Sequence, residues 1–149
     1  MELSVYSHEH FMRQAFLEAQ KAKEQGEIPV GAVVVCNNRI IARACNQTEL
    51  LNDATAHAEM IALTAASNFL GAKYLNECAL YVTLEPCNMC AGALFWTQIG
   101  NLHYAVDDPK RGFSKTGIQM LHPKTIIGKG VLENECRQLL EEFFRDLRA

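Results

Sequence analysis

The chain has 149 residues, of which 49% are hydrophobic and 21% charged. Those proportions suit a globular domain with a sizeable core and exclude a disordered or fibrous chain. Fourteen Lys and Arg against seventeen Asp and Glu leave a net charge of −3, which excludes a strongly basic nucleic-acid-binding domain but not a local basic surface.

No apolar run approaches the roughly 20 residues that span a bilayer. The opening Met1-Glu2-Leu3-Ser4-Val5-Tyr6 has neither the basic start nor the apolar centre of a secretory signal. A cytoplasmic protein with no membrane partner is expected, folding as one domain over residues 1–149. In that compartment six cysteines do not read as a disulfide framework. Cys36, Cys45, Cys78 and Cys136 lie in or beside apolar segments and are expected to be buried free thiols.

Ser7 is the expected N-cap of a first helix, residues 7–25, in which Phe11, Ala15, Phe16, Ala19 and Ala22 recur at helical spacing. His10 stands where a capping box would need Glu, and Gly26 is the expected stop. Residues 29–36 read as a buried strand, turned by Asn37-Asn38 into a second strand over 39–45. A polar loop over 46–53 follows. Residues 55–69 are rich in Ala, Met, Ile and Leu and read as a buried helix ending near Gly71, with His57 and Glu59 in its first turn. Residues 79–83 form a short apolar strand. Pro86 then precedes a helix over 87–97, close to the favoured first-turn position for proline. Strands are expected over 102–106 and 125–127. A last, amphipathic helix over 133–147 turns Leu132, Cys136, Leu139, Leu140, Phe143 and Phe144 inward. Alternating strands and helices predict an α/β sandwich around a mixed sheet.

Two short motifs carry chemistry: His57-Ala58-Glu59 and Pro86-Cys87-Asn88-Met89-Cys90. His57, Cys87 and Cys90 can bind zinc, and three protein ligands leave a fourth tetrahedral position for water, the form of a catalytic site. Cys87 and Cys90, three residues apart on one helix, face the same direction. Helix N-termini favour their thiolates. A metal held there lowers the pKa of its water, and Glu59 is the natural carrier of the released proton. Each piece alone has an ordinary reading: a lone C-x-x-C is equally a redox pair, and a lone Glu in a first helical turn complements the dipole. The conjunction carries the weight, and H-x-E…P-C-x-x-C is the recognised signature of zinc nucleobase deaminases.

Beyond that signature the chain resembles the bacterial tRNA adenosine deaminases of the cytidine deaminase superfamily, which convert wobble adenosine to inosine. The resemblance runs through Gly26-Glu27-Ile28-Pro29-Val30-Gly31-Ala32-Val33, through Asn46, and through Asp53-Ala54-Thr55-Ala56-His57-Ala58-Glu59. It is densest over Leu80-Tyr81-Val82-Thr83-Leu84-Glu85-Pro86-Cys87-Asn88-Met89-Cys90-Ala91-Gly92-Ala93. It continues at Asp108-Pro109-Lys110 and Glu142-Phe143-Phe144-Arg145. It implies a three-layer α/β/α sandwich around a five-stranded mixed sheet, a homodimer, and one zinc ion per subunit on His57, Cys87 and Cys90.

The resemblance also implies a hydrolase of cyclic amidines with Glu59 as catalytic acid and base, acting on the anticodon loop of tRNA. Unstacked loop bases enter a pocket at low cost. Asn46 would then bond the flipped base, the backbone near Ala58 would hold the purine edge, Ile28 and Val30 would wall the pocket, and Asp108 would lie near the sugar. Lys110, Arg111 and Lys115, with Lys124, Lys129 and His122 nearby and Phe113 available to stack, would meet the RNA. Phe95 and Trp96 are candidates for the dimer interface.

Several residues depart from the family pattern. Asp107 replaces a basic residue, Ala54 a proline and Asn88 a valine, the 112–130 segment is shorter than in several relatives, and the C-terminal tail is less basic. The acidic balance and shortened segment favour an alternative, a deaminase of a free base, nucleoside or nucleotide of the cytosine or guanine type. A non-catalytic zinc-containing RNA-binding module is a third reading, and it would require Glu59 to be spare.

Overall fold

The computed structural model describes residues 7–149, so the opening hexapeptide lies outside the described residues. Helix α1 (His8–Glu24) is capped by Ser7, whose hydroxyl accepts from His10 N at 3.0 Å. Strand β1 (Gly31–Cys36) starts two residues later than the apolar run predicts, because Val30 N donates back to Ile28 O at 2.8 Å in a tight turn. Asn37 and Asn38, at φ 51° and 60°, turn the chain into β2 (Arg39–Cys45) as their tolerance of left-handed backbone predicts.

Helix α2 (Ala58–Leu70) leads to β3 (Cys78–Leu84), then to α3 (Asn88–Thr97) and β4 (Asn101–Val106). A single 3-10 turn over Phe113–Thr116, absent from the sequence reading, precedes the edge strand β5 (Ile126–Lys129) and α4 (Glu133–Arg148). The five strands form one mixed sheet in the order β2-β1-β3-β4-β5. The first two pairings are antiparallel; β3, β4 and β5 run parallel.

Alternation along the strands divides the interior into two cores. Ala32, Val34, Leu80, Val82, Leu102 and Tyr104 pack against α2 and α3 on one face. Val33, Val35, Tyr81 and Ala105 meet Phe11, Met12 and Ala15 of α1 and Cys136 of α4 on the other. The three-layer arrangement therefore follows from strand period and two helix pairs.

Helix α4 corrects one expectation: only Cys136 and Leu139 of its inner stripe are buried, and Phe144 is exposed. Its first two turns alone lie deep against the sheet, and Lys23 of α1 meets Glu142 farther along at 3.1 Å. The four cysteines outside the C-x-x-C are free thiols, three buried and Cys36 half-buried. No helix among the described residues is long and apolar enough to cross a membrane.

Candidate active site

His57 and Cys87 are N-caps, at φ −75°, ψ 151° and φ −73°, ψ 175°, rather than first-turn residues. Helix α2 starts later than composition predicts because Asp53 offers the backbone a competing turn. Its Oδ1 accepts from Thr55 N at 2.8 Å and from the Thr55 hydroxyl at 2.7 Å, and His57 N donates to Thr55 O at 2.8 Å. Neither His57 nor Cys87 uses its side chain to cap its helix, so both are free to face each other.

They do, with Cys90 one turn on. His57 Nδ1 lies 3.6 Å from Cys87 Sγ and 3.5 Å from Cys90 Sγ, and the three donor atoms fall within 4.8 Å of one another. A tetrahedral zinc with ordinary bond lengths sets nitrogen–sulfur edges of roughly 3.6 Å. Two soft sulfurs and one imidazole are also the donors zinc prefers. The residues fit the ion.

The thiols share their proton unequally. A hydrogen bond from Cys90 pushes the Cys87 thiol down to about 5, and the same bond with burial pushes Cys90 up. A sulfur already poised as thiolate at the start of a helix is a ready metal ligand. Glu59, in the first turn of α2, is 4% exposed, and burial pushes its carboxyl up to about 7 against the lowering by its own backbone N–H and His57.

Of the residues expected to contact the base, Ala58 adjoins His57 in the chain and Asn46 pairs with Val30. Asn46 is buried and its N–H donates to Val30 O at 3.0 Å, so these two are neighbours, and Ala58 opens α2 fully buried. Val30 is buried too, while Ile28 is exposed.

The 107–116 segment is built around carboxylates. Asp108 Oδ1 accepts from Lys110 N and Arg111 N, both at 3.1 Å, which makes it a turn-former. Lys110, Arg111 and Lys115 are exposed, and Lys115 Nζ reaches Lys110 O at 3.2 Å. Phe113 does not stand ready to stack on a base: it is 6% exposed and packs edge-on against Tyr104, with ring centroids 6.1 Å apart. Lys129 pairs with Asp107 at 3.5 Å, which offsets one cation of the basic group.

Two buried carboxylates, Glu27 and Glu85, fasten loops next to the site residues. Glu27, 1% exposed, accepts from the Thr48 hydroxyl, Glu49 N and Leu50 N at 3.3, 3.1 and 2.8 Å. Glu85, 3% exposed, accepts from Asp108 N, Ser114 N and the Ser114 hydroxyl. Their signal in the sequence is an acid set between apolar neighbours, Ile28 after Glu27 and Leu84-Glu85-Pro86 before the cysteines.

The zinc-binding region of cytidine and deoxycytidylate deaminases matches residues 5–106, a span holding all three donors and Glu59. The chain belongs to this family of zinc-binding hydrolytic deaminases. Within it, the chain is similar to the tRNA-specific adenosine deaminase of Agrobacterium fabrum, 42% identical over 144 residues that cover 93% of this chain and 95% of that one. The tRNA-specific adenosine deaminase of Bacillus subtilis is 44% identical over 145 residues, 94% and 90% of the two chains. A solved structure from work on A-to-I editing by tRNA:A34 deaminases at the wobble position superposes with a TM-score of 0.83 at 41% identity, covering 88% of this chain and 99% of the other.

Proposed function

We propose that this protein hydrolyses adenosine to inosine at the wobble position of tRNA, consuming one water and releasing one ammonia. One observation carries the reaction type. The buried carboxylate of Glu59 follows by two residues a histidine whose Nδ1 sits 3.5 and 3.6 Å from two cysteine sulfurs. The substrate reading is supported by relatives of that name, which align almost end to end with this chain.

His57, Cys87 and Cys90, whose donor atoms lie close enough to share one metal ion, would hold one zinc per subunit. Bound there, zinc makes water acidic enough to act as a nucleophile near neutral pH. Glu59 takes the proton from the attacking water and delivers it to ring N1 of the adenine. A second proton, moved by the same carboxylate to the exocyclic amine, lets ammonia leave C6. Asn46 bonds the flipped base, the backbone at Ala58 holds the purine edge, and Val30 with Ile28 walls the pocket. Asp108 lies near the sugar while shaping its own turn. Lys110, Arg111 and Lys115 hold the anticodon-loop phosphates, and the buried Phe113 has no part in stacking.

The same reading makes residues 1–149 one catalytic domain, places it in the cytoplasm with tRNA, and makes it a homodimer. Trp96, 76% exposed and edge-on to Phe95 at 5.5 Å between centroids, supports an interface on α3.

The test incubates zinc-loaded protein with an anticodon stem-loop carrying adenosine at the wobble position. Free adenosine, cytidine, cytosine and guanine run in parallel, with Glu59→Ala as control. Inosine in the stem-loop alone, absent from the control, is expected. Ammonia from a small molecule beside an untouched stem-loop would move the protein to free substrates.

A further inference from the structure

Glu85 is the one residue between the end of β3 and the Pro86-Cys87 step into α3. Its backbone N–H extends the sheet by donating to Val106 O at 2.8 Å. Its carboxylate turns to the 107–116 segment. Oε1 accepts from Asp108 N at 2.9 Å, and Oε2 from Ser114 N at 3.0 Å and the Ser114 hydroxyl at 2.6 Å. Glu85 makes no ion pair among the described residues, so its partners are all N–H and O–H groups of that segment.

The backbone repeats the attachment. Phe113 N donates to Pro86 O at 3.0 Å, and Gly112 bridges Cys87 directly. Gly112 lies so close that a Cβ there would overlap the Glu85 carboxyl group. Both ends of the loop bearing Lys110, Arg111 and Lys115 are thus tied to one carboxylate two residues before a metal donor.

We propose that Glu85 is a positioning residue that sets the cationic loop at a fixed distance from the metal-binding histidine and cysteines, so that phosphates gripped by the loop present their base to Glu59. This rests on the tRNA reading above. The chemistry of the contact explains why a carboxylate is needed. Two acceptor oxygens meet donors from both ends of the loop, whereas Gln would aim its own N–H groups at one set of them. Asp, one methylene shorter, cannot span the same gap.

The experiment compares wild type with Glu85→Gln, Gly112→Ala and the milder Ser114→Ala. The readouts are steady-state kinetics on the stem-loop, zinc stoichiometry, and hydrogen exchange of the loop. Zinc content is expected to stay at the wild-type level, with KM rising about tenfold in Glu85→Gln and kcat within about threefold, the loss of a charge-assisted contact. The slope of log(kcat/KM) against log[salt] should flatten by about one, as a phosphate contact is lost. Amides of 107–116 should exchange faster while those of α2 and α3 do not change. Gly112→Ala should reproduce the pattern and Ser114→Ala a weaker form, which carries the test if Glu85→Gln does not fold.

Loss of zinc, a fall in kcat at unchanged KM, or unaltered exchange of the loop would each overturn the proposal. Faster loop exchange in a protein whose wild type ignores the stem-loop would instead retain the clamp and reject the tRNA reading.

Discussion

Gly31 of β1 lies directly under Ala15 of α1, so close that a Cβ at Gly31 would overlap the Ala15 carbonyl oxygen and the Ala19 N–H. The absence of a side chain is what lets α1 settle onto the sheet, with Ala15, Ala19 and Ala22 fully buried. Gly31→Ala should therefore cost about 3 kcal/mol, the upper end for overpacking, because helix backbone cannot yield as a flexible side chain can. Urea unfolding would read it, and a change under about 0.5 kcal/mol, the scale of an ordinary surface substitution, would show that α1 shifts freely.

Glu59→Gln keeps the size and burial of the side chain but removes its ability to carry a proton. The expected result is kcat lower by about 10²- to 10⁴-fold, the range for general acid–base groups, with KM and zinc content near wild type. Zinc content by metal analysis beside the kinetics separates loss of proton transfer from loss of the ion. Equal loss of both would make Glu59 a support for the metal site rather than the proton carrier.

His103 should govern part of the acid limb of stability. Its ring stacks on Tyr81, with centroids 4.7 Å apart, lies 4.4 Å from the His8 ring, and leaves Gly128 no room for a side chain. Burial, and after it the His8 neighbour, push His103 down to about 4 from an ordinary 6.5. The folded state thus holds the neutral ring while the unfolded chain takes up a proton first. Its contribution is fully present above pH 6.5 and is lost as pH falls through about 4. Discounted for solvent screening of a ring that is only half-buried, the loss should be about 2 kcal/mol. His103→Phe keeps the stack and should flatten this limb in urea titrations between pH 7.5 and 4.5. A parallel acid limb in the two proteins would rule His103 out.

The metal donors were legible in the sequence because their geometry is local. Cys87 and Cys90 share one helix turn, and His57 opens the neighbouring helix, so spacing and element order suffice. The Asn37-Asn38 hairpin was legible for the same reason, since positive φ is a property of those residues. Phe113 reads as exposed from sequence because Gly112, Ser114 and Lys115 around it are polar or small. That context suggests an exposed loop and hides the 3-10 turn that folds the ring under Tyr104. The clamping contacts of Glu27 and Glu85 are not legible in sequence because their partners lie 21 to 29 residues away, where no periodicity reaches. The late start of α2 is hidden from composition because the Asp53 turn competes with the helix propensity of the residues after it.

Glu27 supplies the last prediction. Its carboxylate fastens the 48–50 turn to the segment carrying Ile28 and Val30, and Asn46 N closes the same junction on Val30 O. Glu27→Gln presents an amide to two backbone N–H groups and leaves at least one unpaired inside the protein, at a cost of about 2 kcal/mol. Asn46 should then sit less firmly against the base. A misplacement of about 1 Å at a reacting group can cost 10²-fold. On the proposed roles, with Asn46 at the base and the 107–116 loop at the phosphates, the expected signature is a fall in kcat on the stem-loop larger than the rise in KM, opposite to that of Glu85→Gln. Metal content should be unaffected, since His57 depends on the Asp53 turn instead. A rise in KM alone would mean that Glu27 serves RNA capture and that Asn46 is held by other contacts.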